Sequence, residues 1–415
     1  MNAATRGMDR WSMSVRLPIY RTMRPLLTLC STLFALFTAL DPAAKGADAD
    51  ASAAVAQVIP PLMKQWGIPG MAVGVTVDGH AQVFTFGVSS LATRQPVSPE
   101  TLFEVGSVTK TFTATLAAYA QEKGALSLSD PVEKFLPELK GTPFGAVKLV
   151  HLGTHTPGGL PLQVPDSVDT LEQMFAYLKG WKPAAAPGII RTYSNVGVGV
   201  FGLIAARSLG RDFGVHFERE LLPGLGLHHT YLCIPADRQT LYAQGYTSDG
   251  EPIRLTPGVF WEQGYGIKTT AGDLLTFLEE NMGIVPVADP QFARALQATH
   301  TGYFRAGALT QDLMWEQYAT PVTLETLLQG NSAEMLFNPI PASALNPPLA
   351  PRNDVLINKT GSTAGFSAYV IFMPRERVGI VLLANKSYPI PERIKAAYAI
   401  LSQVSPPRVV GMKDS

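Results

Sequence analysis

The heptapeptide Glu104-Val105-Gly106-Ser107-Val108-Thr109-Lys110 ends a β-like run, and an alanine- and leucine-rich segment typical of a buried helix follows it at 111–120. Ser107 is therefore predicted at a helix N-terminus, where free N–H groups and the helix dipole favour negative charge. Ser107 and Lys110 are three residues apart, so their side chains share one face of that helix. A hydroxyl beside an amine is a candidate activated nucleophile. A helix-capping serine followed by an ordinary surface lysine has the same spacing, so this motif needs support from elsewhere in the chain.

The composition is that of a globular protein without a bias toward nucleic acid. Apolar residues make up 46% and charged residues 16% of the 415 positions, which is enough for a large core and argues against disorder. Lys plus Arg and Asp plus Glu each number 33, so no basic excess points to a nucleic-acid partner. This length predicts two domains or one large α/β unit.

Residues 1–46 have the pattern of a secretory signal peptide. An arginine-rich start precedes a short apolar run at 25–40, and small residues follow at 42–47. The run is shorter than the about 20 residues of a spanning helix, so we expect cleavage, export to the periplasm and no membrane attachment afterwards. Cleavage would remove Cys30 and leave Cys233 without a partner, which excludes an internal disulfide. The mature chain would be mildly acidic without an exposed heptad pattern, so a monomer is expected.

Strand signals lie near both ends of the chain, and mostly helical signals lie between them. A helix at 51–66 and a hairpin around Asp78-Gly79 open the mature chain. Three strands, at 355–360, 367–373 and 378–384, and a helix at 394–402 close it. The predicted fold is therefore a two-domain α/β (α+β) architecture, with an antiparallel sheet built from both ends and flanked by helices.

The domain boundaries follow from this pattern. The sheet domain is predicted at 47–125 and 300–406, a mainly helical domain is inserted at 126–299, and the active site lies in the cleft between them. The proline-rich segment 338–352 is predicted to be a non-regular connection, and 407–415 a tail. Further predicted elements are helices at 171–178, 196–209 and 271–281 and a cleft-lining loop at 244–265.

Three short motifs follow one another along the chain: Ser107-Val108-Thr109-Lys110, Tyr193-Ser194-Asn195 and Lys359-Thr360-Gly361. Each alone is common, but together, in this order and spacing, they are specific. The related set Ser-x-x-Lys, Ser-Asp-Asn and Lys-Thr-Gly marks class A β-lactamases and penicillin-binding proteins.

The chain resembles a class C (AmpC-type) serine β-lactamase of the penicillin-recognising serine enzyme superfamily, over about residues 59–401. Tyr193 stands where class A has a serine, and the segments 158–166, 359–363 and 383–389 are similar to those of class C. The resemblance implies hydrolysis of the β-lactam amide of cephalosporins and penicillins through an acyl-enzyme on Ser107. It implies antibiotic resistance as the outcome, and neither a cofactor nor a metal.

The resemblance also implies catalytic roles. Ser107 attacks the carbonyl, and its proton goes to Tyr193 or Lys110, between which the residues alone do not decide. Ammonium groups on Lys110 and Lys359 would lower the pKa of Tyr193 from its usual value near ~10, and the family assigns Tyr193 as general base. The backbone N–H groups of Ser107 and Ser362 would form the oxyanion hole.

Substrate-binding roles are carried over in the same way. Gln163 and Asn195 would bind the acylamido side chain, an edge strand would pair with the ligand amide, and Arg393 would hold the substrate carboxylate. The complete predicted set is Gln163, Asn195, Thr360, Gly361, Ser362, Tyr265, Asn385 and Arg393. The chain departs from class C at Ile390, where an asparagine is common, and at Ala364.

Two further interpretations stay open. A D-Ala-D-Ala carboxypeptidase, D-aminopeptidase or esterase of the same fold would share Ser-x-x-Lys and Tyr-x-Asn, and a non-catalytic β-lactam sensor would hold its acyl-enzyme. His151, His155, His228 and His229 lack a third ligand at metal-binding spacing, and are interpreted as packed or surface residues.

Overall fold

The computed structural model describes residues 42–405, with side chains from 51 onward. The predicted tail and nearly all of the predicted signal peptide lie outside these residues; 42–46 form the start of the first helix. No helix among the described residues is both long and apolar enough to span a bilayer. The strands are β1 Gly70–Val77, β2 His80–Gly87, β3 Phe103–Glu104, β4 Ile190–Arg191, β5 Gly245–Tyr246, β6 Pro252–Ile253, β7 Lys268–Thr269, β8 Gly302–Ala306, β9 Leu309–Gln311, β10 Glu316–Ala319, β11 Ile340–Leu349, β12 Val355–Ser362, β13 Ser367–Met373 and β14 Val378–Ala384. The helices are α1 Pro42–Trp66, α2 Thr109–Glu122, α3 Leu149–Gly153, α4 Leu171–Gly180, α5 Asn195–Ser208, α6 Phe213–His216, α7 Leu222–Gly224, α8 Trp261–Gly264, α9 Ala271–Asn281, α10 Pro290–Ala298, α11 Leu324–Gly330, α12 Ala333–Phe337 and α13 Ile390–Val404.

One ten-stranded sheet organises the molecule, in the order β2-β1-β14-β13-β12-β10-β9-β8-β11-β4. Strands from the two ends of the chain are neighbours, because β1 pairs antiparallel with β14 from Met71 opposite Ala384 onward. The β1–β2 hairpin turns through Asp78 and Gly79, whose φ angles of 53° and 85° belong to the mirror-image turn that Asp-Gly favours. The predicted antiparallel sheet built from both ends is thus confirmed.

Each face of the sheet supports its own hydrophobic core, because side chains alternate along a strand. In β13 the even-numbered residues face one core, which α2, α5 and α9 cover, and the odd-numbered residues face the other, which α1 and α13 cover. Burying each large apolar side chain contributes roughly 1.5–3 kcal/mol. The β13 residues on the two sides are Ala368, Val370 and Phe372, and Tyr369, Ile371 and Met373.

The prediction of a non-regular connection at 338–352 is wrong, because strand β11 lies within this segment and takes its place in the sheet between β8 and β4. Its ladder with β8 is interrupted between Ala344 and Leu349, and Pro347 and Pro348 lie within that interruption. Proline has no N–H to donate, so it is tolerated where the ladder is already broken. Strands β8 to β10, which precede this segment, were also not predicted.

Elements inside 126–299 also contact the sheet. Helix α9 packs against β1 and β14, and β4 forms the last strand of the sheet, beside β11. Helix α2, which follows Ser107 and carries Lys110, packs closely against α5 and α10 as well. The domain boundaries at 126 and 299 stay a prediction, but the turn that leads into α2, the start of α5 and strand β12 contribute residues to one cavity.

Candidate active site

A close backbone approach joins the start of α2 to strand β12. Ser107 lies in the single 3₁₀ turn Gly106–Val108 that leads into α2. Gly106 has φ +51°, and a Cβ there would lie 2.5 Å from the backbone N of Ser362. A Cβ on Gly361 would lie 1.9 Å from the carbonyl oxygen of Val105. Only glycine allows this approach, which brings the backbone of Ser107 beside that of Ser362, the expected oxyanion-hole pair.

The side chain of Lys110 is directed at Ser107 from one turn further along. Its Nζ donates hydrogen bonds to Ser107 Oγ at 2.9 Å and to the carbonyl oxygen of Gly264 at 2.7 Å. Lys110 is fully buried, and this burial lowers its pKa to about 8, with the Tyr193 phenol opposing that effect and the Lys359 ammonium adding to it. The predicted pairing of Ser107 with Lys110 is therefore present in the structure.

Tyr193 lies between the two lysines. The Nζ atoms of Lys110 and Lys359 are 5.2 Å and 5.1 Å from its ring centroid, and its side chain is only 4% exposed. Burial alone would raise the pKa of Tyr193, but the two ammonium groups and a hydrogen bond with Ser107 together lower it below 10.0. This is the direction that the sequence predicted.

A buried carboxylate balances these cations, and sequence reasoning missed it. Glu316 Oε1 lies 3.3 Å from Lys359 Nζ and 3.4 Å from Arg191 Nη2. Burial by itself would lower the pKa of Lys359, but Glu316 raises it above 10.5. Arg191 also donates from Nε to Gln311 Oε1 at 2.6 Å. In the β10–β12 ladder Glu316 faces Asn358, so its position beside Lys359 follows from strand pairing and from no local motif.

A cavity of about 490 Å³ opens onto these groups. Two of its lining residues are joined by a hydrogen bond, in which Asn195 Nδ2 donates to Gln163 Oε1 at 2.7 Å. Its lining also includes the apolar side chains of Met335, Leu336 and Ile390. The predicted site residues that line the cavity are Ser107, Gln163, Tyr193, Asn195, Tyr265, Lys359, Thr360, Gly361 and Ser362.

Arg393 is not a lining residue, which corrects its predicted direct contact with a substrate carboxylate. The residue is 2% exposed, and its guanidinium donates from Nη1 to Gly361 O at 2.7 Å and to Ser362 Oγ at 2.8 Å. Nη2 donates to the carbonyl oxygen of Tyr388 at 2.6 Å, and burial lowers the pKa of Arg393 to about 10. Arg393 therefore lies behind Ser362 and orients it.

Asn385 is also outside the cavity, and its predicted substrate contact is wrong. The side chain is fully buried, and the N–H of Gly70 donates to its Oδ1 at 2.8 Å. Its Nδ2 donates to the carbonyl oxygens of Val88 and Ser89 at 3.1 Å and 3.2 Å. These backbone groups occupy both ends of the amide, so Asn385 fastens β1 and the segment after β2 to the end of β14.

The histidines do not assemble a metal centre within the described part of the chain. No three side chains of the His, Cys, Asp or Glu type converge there. His151 Nδ1 instead lies 3.0 Å from Thr156 Oγ1. The expected absence of a metal stays a prediction.

The nucleophile, its lysine, the phenol between two ammonium groups and the glycine-lined backbone approach define a serine acyl-transfer enzyme. Comparison with known proteins narrows this class. A sequence model of the β-lactamase family matches residues 55–405. A β-lactamase of Lysobacter lactamgenus is 49% identical over 91% of this chain and 98% of its own length. A β-lactamase of Pseudomonas fluorescens is 48% identical over 84% and 97%.

Solved structures agree with this match. A class C β-lactamase in complex with cefoxitin has a TM-score of 0.83 and 48% identity, over 86% of this chain and 99% of its own. The D-alanine carboxypeptidase AmpC of Burkholderia cenocepacia has a TM-score of 0.82 and 54% identity, over 86% and 99%. The chain belongs to the β-lactamase family, and its fold and motifs are those of class C.

Proposed function

We propose that this enzyme hydrolyses the β-lactam amide of cephalosporins and penicillins through an acyl-enzyme on Ser107, and thereby confers antibiotic resistance. The observation that carries the proposal is the position of Ser107 Oγ, 2.9 Å from Lys110 Nζ and hydrogen-bonded to a Tyr193 whose pKa is lowered. The two ammonium groups favour the phenolate form of this tyrosine, and a phenolate is a proton acceptor suited to a serine hydroxyl.

Acylation begins when Ser107 Oγ attacks the β-lactam carbonyl carbon and its proton moves to the phenolate oxygen of Tyr193. Lys110 Nζ donates to both Ser107 Oγ and the carbonyl oxygen of Gly264, so it acts as a hydrogen-bond donor here, and the phenolate form of Tyr193 is the acceptor of the proton. The N–H groups of Ser107 and Ser362 bind the tetrahedral oxyanion. The carbon–nitrogen bond then breaks, and the leaving nitrogen takes the proton from Tyr193.

Deacylation reuses the same groups in the same order. Tyr193 accepts a proton from a water molecule, the hydroxide attacks the acyl carbon, and the oxyanion again lies at the two N–H groups. The ester bond to Ser107 Oγ breaks, and that oxygen regains its proton from Tyr193. The enzyme returns to its starting state with a hydrolysed, ring-opened product.

An unpaired strand edge supports the mode of substrate binding. Strand β10 pairs with β12 only as far as Asn358, so residues 359–362 have no strand partner on that side within the described chain, and they border the cavity. A substrate amide can hydrogen-bond there as an added strand. The Gln163–Asn195 pair would bind the acylamido side chain, and Ser362, oriented by Arg393, would contact the carboxylate.

The direct test is Ser107→Ala, assayed by hydrolysis of a chromogenic cephalosporin together with intact mass. We expect the variant to lose turnover by about 10⁴-fold or more and to form no covalent adduct, with unchanged thermal stability. Ser208→Ala, at the end of α5, is the matched control and should retain both turnover and adduct formation. Turnover by Ser107→Ala at the wild-type rate would exclude the proposed nucleophile.

A D-alanine carboxypeptidase activity is the second candidate, because the Burkholderia cenocepacia protein at 54% identity bears that name. A Pseudomonas syringae structure at 46% identity is described as a β-lactamase/D-alanine carboxypeptidase. The ratio of kcat/KM on a cephalosporin and on a D-Ala-D-Ala peptide ranks the two activities. A single burst with a stable acyl adduct would instead indicate a β-lactam sensor.

We also infer export to the periplasm after removal of residues 1–46, and a monomeric mature enzyme. The basic, apolar and small-residue sequence of the N-terminus supports the first inference. N-terminal sequencing of the protein from a periplasmic extract tests cleavage, and light scattering during gel filtration tests the monomer.

A further inference from the structure

The ring of His155 packs against the ring of the proposed general base, Tyr193. Its ring centroid is 4.4 Å from that of Tyr193, with 35° between the ring planes. The residue is 1% exposed and does not line the cavity. It therefore contacts the ring of Tyr193 without itself reaching the cavity, where a ligand would bind.

His155 also anchors the backbone on both sides of Tyr193. Its carbonyl oxygen accepts from the N–H of Thr192 at 2.8 Å. Its ring Nδ1 accepts from the N–H of Ser194 at 3.3 Å. One residue thus binds the peptide groups before and after Tyr193 and packs against the ring between them, which limits how that ring can move.

This arrangement requires a neutral imidazole with its proton on Nε2. A protonated Nδ1 could not accept from Ser194. The charged or titratable groups around the ring are Arg191, Lys110, Lys359 and Tyr193. Burial first, and then the three cations, lower the pKa of His155 well below 6.5. Its Nε2 has no hydrogen-bond partner among the described residues.

We propose that His155 is a positioning residue for Tyr193: its Nδ1 accepts a hydrogen bond from the Ser194 N–H while its ring packs against the phenol. This inference rests on the proposed role of Tyr193 as general base. It implies that the acceptor atom matters more than the bulk of the side chain. Asn is a suitable replacement because its Oδ1 can occupy the place of Nδ1 and because it tolerates the φ of +59° found here.

The experiment measures kcat and KM on a chromogenic cephalosporin for His155→Phe and His155→Asn, each made in wild-type and Tyr193→Phe backgrounds, with Tm as a check on folding. His155→Phe keeps a ring but has no acceptor, and we expect it to lower kcat by about 10²-fold with little change in KM. His155→Asn should remain within about threefold of wild type. In the Tyr193→Phe background His155→Phe should cost nothing further, because the residue acts through Tyr193.

The outcomes separate this inference from the function on which it rests. If Tyr193→Phe is severe but His155→Phe lowers kcat equally in both backgrounds, the positioning role is overturned while the proposed function stands. If Tyr193→Phe alone has little effect, the base role itself fails. A nitrogen NMR spectrum of the wild-type enzyme between pH 5 and 8, with His155 assigned by its loss in His155→Asn, gives an independent readout. A proton on Nδ1 in that range would overturn the inference even if His155→Phe did not fold.

Discussion

Glu316 carries a carboxylate that bridges Lys359 and Arg191 in the lining of the cavity. All three side chains are almost fully buried. A buried charge left without its partner is strongly destabilising, whereas an exposed ion pair contributes little. Glu316 therefore sets both the stability of this region and the protonation of Lys359, whose ammonium acts on Tyr193.

Glu316→Gln keeps the size of the side chain and removes its charge. We expect the free energy of unfolding to fall by about 3–5 kcal/mol. Because the pKa of Lys359 is raised in the folded state, its ammonium stabilises the fold fully below pH 10.5, and this contribution is lost as the pH rises through the folded pKa. Without the Glu316 charge, Lys359 should lose its proton at a lower pH. Chemical denaturation and the alkaline limb of kcat/KM measure the two effects.

The matched control is Glu392→Gln, which breaks the surface pair of Glu392 with Lys395, at 2.8 Å. This change should cost no more than about 1 kcal/mol and leave the pH profile in place. Equal effects of the two substitutions would mean that burial of the Glu316 charge has no special consequence.

At the scale of elements, the contact between β12 and the 3₁₀ turn before α2 is what builds the site. Gly361 has no side chain where the carbonyl of Val105 passes, and the backbone N of Ser107 is 3.1 Å from the position a Cβ would take. Any added atom must push the strand away from the turn. The two expected oxyanion donors belong to these two elements, so their separation depends on this one contact.

Gly361→Ala should therefore lower kcat by about 10²–10³-fold, the loss expected when an oxyanion donor is removed. The measurement is steady-state hydrolysis together with the rate of acylation by stopped flow. Gly180→Ala, at the end of α4, is the control, since a Cβ there meets no described atom within 4 Å. Wild-type acylation by Gly361→Ala would show that the strand can shift without moving the donors.

At the scale of the whole molecule, α9 brings carboxyl groups under the sheet. Glu280 is 5% exposed, and its Oε2 has no hydrogen-bond partner in the described part of the chain. Burial, and then Asp273 and Glu279, raise its pKa from 4.5 to about 8. The folded state therefore holds a proton that the unfolded chain releases above pH 4.5. The contribution of Glu280 to the free energy of unfolding therefore falls as the pH rises from about 4.5 to about 8, and it does not change further above pH 8.

Glu280→Gln removes that titration while keeping the shape of the side chain. We expect little change in Tm at pH 5 and a gain at pH 8 that corresponds to about 1–3 kcal/mol. Thermal unfolding across this pH range is the measurement, and Glu325→Gln on α11 is the control. A Tm difference that is the same at both pH values would show that Glu280 does not titrate on unfolding.

The sequence alone predicted those features of this protein that depend on local conformation and local spacing. The β1–β2 hairpin follows from Asp78-Gly79, because few residues other than Gly, Asp and Asn adopt the required positive φ. Helix α9 begins and ends where its pattern predicted, at Ala271–Asn281. The Ser107, Tyr193 and Lys359 motifs were recognisable because each combines a reactive side chain with fixed local spacing.

The tertiary structure decided which distant residues share an environment. The bridge from Glu316 to Lys359 joins two neighbouring strands, and Arg393 reaches Ser362 from a helix 31 positions further along the chain. The side chain of Asn385 is hydrogen-bonded to backbone groups that lie 296 to 315 positions earlier in the sequence. A local pattern carries no information about such contacts, because the partner is chosen by the register of the sheet and by the burial that follows from it.

Strand β11 also shows that a local pattern does not determine strand pairing. Its prolines predicted a non-regular segment, but β11 pairs with the neighbouring strand β8. A proline removes one donor from a ladder, whereas the pairing of the whole strand depends on all its neighbours. The sequence by itself therefore determined which side chains are the reacting groups. Their charges, their supports and their access to substrate were set by the fold, since each depends on which distant segments pack around them.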